Sequence, residues 1–301
     1  MTSYDIYLIA PQLAMAGIGL IVIVFDLFFR RSKLLPVIAF VGLLVPIGLT
    51  LIQLKDLTAS DSSGLVIQSS VFHGSLMVDQ FSLFFNFLIL IVTGLVILSS
   101  NDYLSRMDRN RAEYFGLILL SATGMLVLVG ATELITIYIA LELTTLPLIA
   151  LSSMLFTAKS TEAGMKFLVI GALSSAVMLY GMTLIFGFTG STTLSGISDA
   201  LALAHNSDIP FGSYAVLVGM LLLIVGFGFK LSAVPYQMWV PDVYEGAPTP
   251  VVTFLSVASK SAAFALVLRV LCSGFMDLQF EWTILIACLA AASMTVGNLA
   301  A

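Results

Sequence analysis

The chain has 301 residues, 59% of them hydrophobic and 10% charged, where a soluble globular domain is about 25% charged. Its net charge of −5 comes from a few residues dispersed between apolar stretches, a pattern that excludes nucleic-acid binding. Apolar runs of about 20 residues recur along the whole length, so the solvent for this sequence is a lipid bilayer.

Taken in chain order, nine spans occupy roughly 6–29, 34–54, 81–101, 114–131, 134–156, 163–188, 213–240, 251–272 and 281–301. Backbone polar groups in lipid must be satisfied within the segment, which makes these spans helices. The short alternating segments of a transmembrane barrel do not occur. The expected fold class is therefore all-α, a polytopic transmembrane helix bundle. Residues 1–5 carry no basic leader before the first span, so no cleavable signal peptide is expected.

Charge asymmetry orients the bundle. With the N-terminus outside, the inner loops hold Arg30, Arg31, Lys33, Arg106, Arg109, Arg111, Lys159 and Lys166, and the outer side keeps only Lys55 and Arg269. The positive-inside rule then places the N-terminus on the periplasmic side or its equivalent. Arg269 reads as an interface anchor. Two long connections, about 55–80 and 189–212, fall on the outer side and read as solvated loops rich in Ser, Thr, Gly and Asp.

The seventh span is longer than a bilayer needs and carries Gly226, Gly228 and Pro235 in its second half. Pro235 removes a helical donor, so a broken helix is expected there. Such breaks occur in membranes where the freed backbone lines a protein-walled or hydrated cavity. The chain closes on Gly297-Asn298-Leu299-Ala300-Ala301, still apolar and without a polar cap, as expected of a C-terminally truncated sequence.

Cys272 and Cys288 lie in or beside spans without metal-ligand spacing and read as small packing residues. His73 and His205 sit far apart in polar connections. No metal cluster, nucleotide-binding glycine motif or cluster cysteines are visible, so no redox centre and no bound cofactor are expected in this chain.

Three charged residues fall deep inside spans. Glu142 lies near the middle of the fifth, Lys230 before the proline of the seventh, and Lys260 with at least nine apolar-span residues on either side in the eighth. An isolated charge at such depth is costly, and intramembrane ionisable residues mark ion pathways or counter-ions. A buried lysine whose charge depends on a nearby acid can act as a switched proton site. Glu162 and Lys166 flank the inner end of the sixth span as an interfacial pair, with proton entry as the other reading. Asp242 and Glu245 fall in the inner loop after the break, where capping competes with a supporting role. Glu133 opens the fifth span, where an acid at a helix N-terminus is favourable.

The run Phe229-Lys-Leu-Ser-Ala-Val-Pro-Tyr-Gln-Met-Trp-Val-Pro-Asp-Val-Tyr-Glu-Gly-Ala-Pro-Thr-Pro-Val251 closely resembles the subunit N (subunit 2) family of respiratory complex I. Leu141-Glu142-Leu143 with the following Leu-Pro, Glu162-Ala-Gly-Met-Lys166-Phe and the closing Gly297-Asn298-Leu299 are similar to the same family. The resemblance covers nearly the whole chain and extends to Mrp-type antiporter subunits.

The resemblance implies a proton-translocating membrane subunit of an NADH:quinone oxidoreductase, built on two inverted five-helix repeats with discontinuous helices. Residues 1–112 would be N-terminal scaffold helices, 113–272 the first repeat and 273–301 the start of the second. Glu142 matches the modulating glutamate, Lys230 its lysine partner and Lys260 the central lysine, with the exit-side lysine lying beyond this sequence. Many relatives have Phe-His after the proline, whereas this chain has Tyr236-Gln237, and a glutamine cannot titrate. The implied partners are the other membrane subunits of the complex, including antiporter-like ones, the lipid bilayer and protons. The implied cofactors, namely NADH or ferredoxin, FMN, iron–sulfur clusters and a quinone, belong to the complex elsewhere. The alternatives are an Mrp-type cation/proton antiporter subunit not coupled to redox, and a purely structural membrane subunit. The expected location is a bacterial inner membrane, with thylakoid or another organelle membrane as the other setting.

Overall fold

The computed structural model describes residues 3–29, 34–61, 69–71, 74–104, 111–205 and 210–300. Arg30, Arg31, Lys33, His73, Arg106 and Arg109 lie outside the described residues, as does the side chain of His205. In chain order the helices are α1 (Ser3–Leu8), α2 (Ala10–Phe28), α3 (Leu35–Gly42) and α4 (Leu44–Asp61). A two-stranded hairpin, β1 (Ser69–Val71) and β2 (Leu76–Val78), precedes α5 (Gln80–Leu104), α6 (Arg111–Gly130) and α7 (Leu134–Ser152). Then come α8 (Ala158–Thr189), α9 (Leu194–His205), α10 (Pro210–Leu231), α11 (Val240–Gly246), α12 (Thr249–Phe254), α13 (Lys260–Gly274) and α14 (Gln279–Ala300).

Among the described residues, nine segments are long and apolar enough to cross a membrane. The protein is a multi-pass membrane protein, and among the described residues the one sheet is the two-stranded hairpin. Hydroxyls inside the helices mostly turn back onto their own backbone: Thr93 donates to Ile89 O, Thr145 to Leu141 O and Ser152 to Leu148 O. This satisfies them without water, as hydrocarbon requires.

Helix α6 is the axis of the bundle, with Tyr114, Phe115 and most residues out to Gly130 buried. Without a hydrophobic force between helices in lipid, close backbone approach supplies the packing energy. Gly124 makes that approach: a Cβ there would stand 2.7 Å from the Thr144 backbone nitrogen on α7. Gly181 and Gly219 do the same at the α8–α10 crossing, each facing the other's carbonyl. The outward faces carry large apolar residues such as Leu20, Leu27, Phe84, Leu95 and Phe264, as a lipid-facing surface should.

The outer connections need correction, and two spans carry local irregularities. The two long connections are not plain solvated loops. One carries the end of α4 and the hairpin, and the other carries α9. The short α6–α7 link stitches them together: Thr132 N donates to Ser75 O, Leu134 N to Thr192 O and Leu194 N to Thr132 O. Backbone groups at a bilayer surface are half-shielded, and this crossing of three segments pairs them. The second span runs through Leu43, where α3 passes into α4 and Leu43 N is shared between Ala39 O and Phe40 O. The eighth contains a π-helical turn, Leu255–Ser259, immediately before Lys260.

Arg269 is no interface anchor. Its side chain is only 3% exposed and pairs at 2.8 Å with Asp79, while its Nε donates to Val129 O at 2.9 Å. The guanidinium also lies 5.1 Å from the Phe81 ring centroid. The pair joins α13 to the start of α5 and the end of α6, a distance in sequence that no periodicity encodes.

Candidate functional site

The site is built around the C-terminal end of α10. That helix stops at Leu231, where Ser232 takes a left-handed φ of 58°. Ser232 N donates to Phe229 O and Ala233 N to Gly228 O, the paired hydrogen bonds of a Schellman helix end. Two residues on, the Val234–Pro235 bond is cis, and a 3₁₀ turn over Tyr236–Trp239 leads into α11. The break expected from Pro235 is present, but Gly226 and Gly228 do not form it. Both remain helical, and both permit close packing. A Cβ at Gly226 would meet Met178, and one at Gly228 would meet the Tyr236 ring, which folds back onto the helix it has just left.

A Schellman end leaves the carbonyl of the last full helical turn unsatisfied. Here that group is Lys230 O, and Lys260 Nζ donates to it at 2.9 Å. The same ammonium donates to Ser232 Oγ in a short contact and stands 5.0 Å from the Trp239 ring centroid. Lys260 thus has a carbonyl, a hydroxyl and an aromatic face, all supplied by the broken segment. The π turn before it matters because an extra residue in the turn re-aims the side chains that follow. Trp239 is itself fixed by stacking on Phe167 at 4.4 Å with an interplanar angle of 6°.

Lys230 is partly buried in the last turn of α10, a position where the helix dipole favours a cation. Glu142 is partly buried on α7, one turn before Pro147. The carbonyl of Thr144 beside that proline is taken by Ser121 Oγ from α6, at 2.9 Å. Lys230 lies beside Lys260 through its own carbonyl, whereas Glu142 stands on a different helix, α7. Among the described residues, no ion pair at contact distance joins Glu142 to Lys230. The direct contact in the site is between Lys260 and the break, which spacing alone did not indicate.

Asp242 and Glu245 are not in a loop. Both belong to α11, which returns alongside α8. Lys166 pairs with Glu162 at 2.8 Å and with Asp242 at 2.9 Å, and Lys159 pairs with Glu245. Gly246 lets this helix press against Ala163 and the Lys159 backbone. The lower half of the broken span is therefore fastened to α8 by two lysine–carboxylate links. Gln237 Oε1 and Trp239 Nε1 are buried within the intervening turn without a hydrogen-bond partner among the described residues.

On the other side of the break, Val234 N donates to Ser293 Oγ of α14 at 3.0 Å. An apolar cavity of about 450 Å³ lies between α10, α13 and α14, bordered by Phe227, Leu231, Phe264 and Trp282. Cys272 borders it as well, and both cysteines are exposed at the protein surface rather than packed inside. Among the described residues no group of three or more His, Cys, Asp or Glu could hold a metal ion. Ser232, Trp239 and Ser293 were missed by sequence reasoning. Ser232 and Trp239 lie in the 229–251 run, which marks the segment but not their contacts, and Ser293 leaves no such trace.

Residues 131–301 match the family model described as NADH:quinone oxidoreductase/Mrp antiporter, TM. NADH-quinone oxidoreductase subunit N of Desulforamulus reducens is 40% identical, over 99% of this chain and 60% of that protein. Its counterpart in Rhodobacter capsulatus is 37% identical over 100% of this chain and 60% of its own length. The chain thus spans about 60% of the length of the curated relatives it matches. Among solved structures, respiratory complex I from Thermus thermophilus contains a chain with TM-score 0.74 and 29% identity, covering 96% of this chain and 58% of that one. A chain of the Mrp complex from Dietzia has TM-score 0.72 at 20% identity, over 99% of this chain and 54% of that one, and so shares the fold.

Proposed function

The chain belongs to the NADH:quinone oxidoreductase/Mrp antiporter transmembrane family, and from that premise we propose that it serves as a proton-translocating membrane subunit of an NADH:quinone oxidoreductase-type complex. The observation that carries this reading is the Lys260 amino group, held inside a membrane span against the end of a broken helix. A purely structural lysine has no need of a helix opened in mid-membrane to receive it.

In the proposed mechanism Glu142 is the modulator, Lys230 the switched site and Lys260 the central relay. A carboxylate acting on Lys230 through space favours its charged form, and withdrawal of that charge releases the proton toward Lys260. Lys260 can take up a proton where carbonyl, hydroxyl and ring face compensate its charge. Lys166 and Glu162, with Asp242 and Glu245, would support α11 where protons enter. Gln237 cannot titrate, so a relay at its position would pass through hydrogen-bonded water, for which its unpaired Oε1 and the Trp239 indole are suited partners.

Residues 1–112 would form the scaffold, 113–272 the first five-helix repeat and 273–301 the beginning of the second. The N-terminus would face the periplasm of a bacterial inner membrane. Neighbouring membrane subunits, among them antiporter-like ones, would be its partners. NADH or ferredoxin, FMN, iron–sulfur clusters and quinone would be handled by other chains of the complex.

The test is proton pumping by the purified complex in proteoliposomes, with Lys260→Ala, Lys230→Ala and Glu142→Ala variants that still assemble. Each should retain assembly and lose most pumping. Normal pumping by Lys260→Ala and Glu142→Ala would overturn the reading in favour of a structural subunit. Purification without any complex I subunit, with cation/proton exchange intact, would instead identify an Mrp-type antiporter.

A further inference from the structure

Position 232 is where a helix end of this type ordinarily carries glycine, because the residue closing a Schellman motif must adopt a left-handed backbone. The φ of 58° at Ser232 meets that requirement, and the two hydrogen bonds from Ser232 N and Ala233 N complete the motif. An L residue with a Cβ pays for this conformation where glycine would not. Local backbone preference therefore argues for glycine, and the chain places serine there.

The side chain explains the choice. Ser232 Oγ accepts a hydrogen bond from Lys260 Nζ, 28 positions away on another helix. The second acceptor of that ammonium is Lys230 O, a carbonyl left open by the same helix end. The left-handed turn thus does two things at once. It exposes the Lys230 carbonyl, and it swings the Ser232 hydroxyl to the same point, opposite the Trp239 ring. Glycine would preserve the first and forfeit the second.

Resting on the proton-path reading above, we propose that Ser232 is a positioning residue of that path: its hydroxyl, presented from a left-handed backbone, holds the Lys260 amino group at the end of α10. It keeps the central lysine beside Lys230, so that a change of charge at one is felt at the other. Without the hydroxyl, Lys260 retains one backbone acceptor and its side chain is free to rotate away.

The experiment compares Ser232→Gly, Ser232→Ala and Ser232→Asn in the assembled complex, measuring complex yield, thermal unfolding midpoint and proton-pumping rate in proteoliposomes. Glycine suits the backbone and lacks the hydroxyl; asparagine tolerates the left-handed conformation and restores an oxygen acceptor. The expected result is that Ser232→Gly assembles with a midpoint no lower than wild type, yet pumps about tenfold more slowly, equivalent to about 1.4 kcal/mol in the barrier. Ser232→Asn should pump within about threefold of wild type, and Ser232→Ala should lose both stability and pumping. Wild-type pumping by Ser232→Gly overturns the proposal, as does a pumping loss that follows the loss of assembly across all three variants. Lys260→Ala serves as the control. If it too pumps normally, the proton-path reading fails; if it is inactive while Ser232→Gly pumps normally, only the role of Ser232 fails.

Discussion

Arg269 and Asp79 allow the most direct energetic test of this structure. The guanidinium is 3% exposed and has a carboxylate, a carbonyl and a ring around it, whereas Asp79 keeps 22% of its side-chain exposure. Removing one partner of a buried pair costs about 3–5 kcal/mol, most of it from the charge left behind. The two deletions should therefore be unequal. Asp79→Ala strands the buried cation and also breaks the reciprocal cap in which Ser82 N donates to Asp79 Oδ1 and Asp79 N to Ser82 Oγ. About 3 kcal/mol for the first and about 1 kcal/mol for the cap predict a loss near 4 kcal/mol. Arg269→Met leaves a carboxylate that can still reach water and keeps the cap, so about 2 kcal/mol is expected. Denaturant unfolding of the purified protein in mild detergent, with the double variant closing the cycle, measures both losses and their coupling. Equal losses for the two variants, or coupling below about 0.5 kcal/mol, would refute the reasoning.

The same pair sets a pH dependence. Burial raises the Asp79 carboxyl, but the Arg269 hydrogen bond and charge, with the Ser82 bonds, outweigh it and hold the group below its ordinary value. A depressed folded pKa gives stability that is complete above the unfolded value and lost as pH falls through the folded one. Acid titration of the unfolding midpoint should show this loss, and Arg269→Met should flatten it. Gly124→Ala would force a Cβ to within 2.7 Å of the Thr144 backbone nitrogen and Oγ1, so α6 and α7 must part at a cost of about 1–3 kcal/mol; a lowered unfolding midpoint together with impaired pumping is expected, since Glu142 rides on the displaced helix. Gly228→Ala would press on the Tyr236 ring at 2.6 Å and should reduce pumping more than stability, measured side by side in proteoliposomes and by thermal unfolding. Lys166→Ala breaks two links, but its side chain is 42% exposed, so only a small lowering of the unfolding midpoint, shrinking further in high salt, is expected.

The bilayer makes much of the fold legible in the sequence. Hydrocarbon allows a spanning segment almost no choice but helix, so nine apolar runs sufficed to mark the nine candidate spans found among the described residues. The same solvent made Glu142, Lys230 and Lys260 conspicuous, because a charge at that depth is costly and therefore rare. Pro235 marked the break for a local reason, its missing donor. The long 229–251 run carried the family resemblance, and the Lys166–Glu162 pair followed from helical spacing.

Tertiary structure decided what those residues touch. Apolar periodicity is weak in a helix that meets protein on one side and lipid on the other, since both favour the same side chains. It could not show that Gly226 and Gly228 are packing surfaces rather than the break, or that α11 lies along α8 and recruits Asp242 and Glu245 as ion-pair partners. Nor could it bring Arg269 to Asp79 across 190 residues of chain. Above all, the three buried charges were visible as an expense but not as an arrangement. Which carbonyl the broken helix leaves open, and which ammonium reaches it, depends on the path of the backbone through Ser232 and on the π turn before Lys260. These are matters of a few ångströms in three dimensions, and only the packed helices fix them.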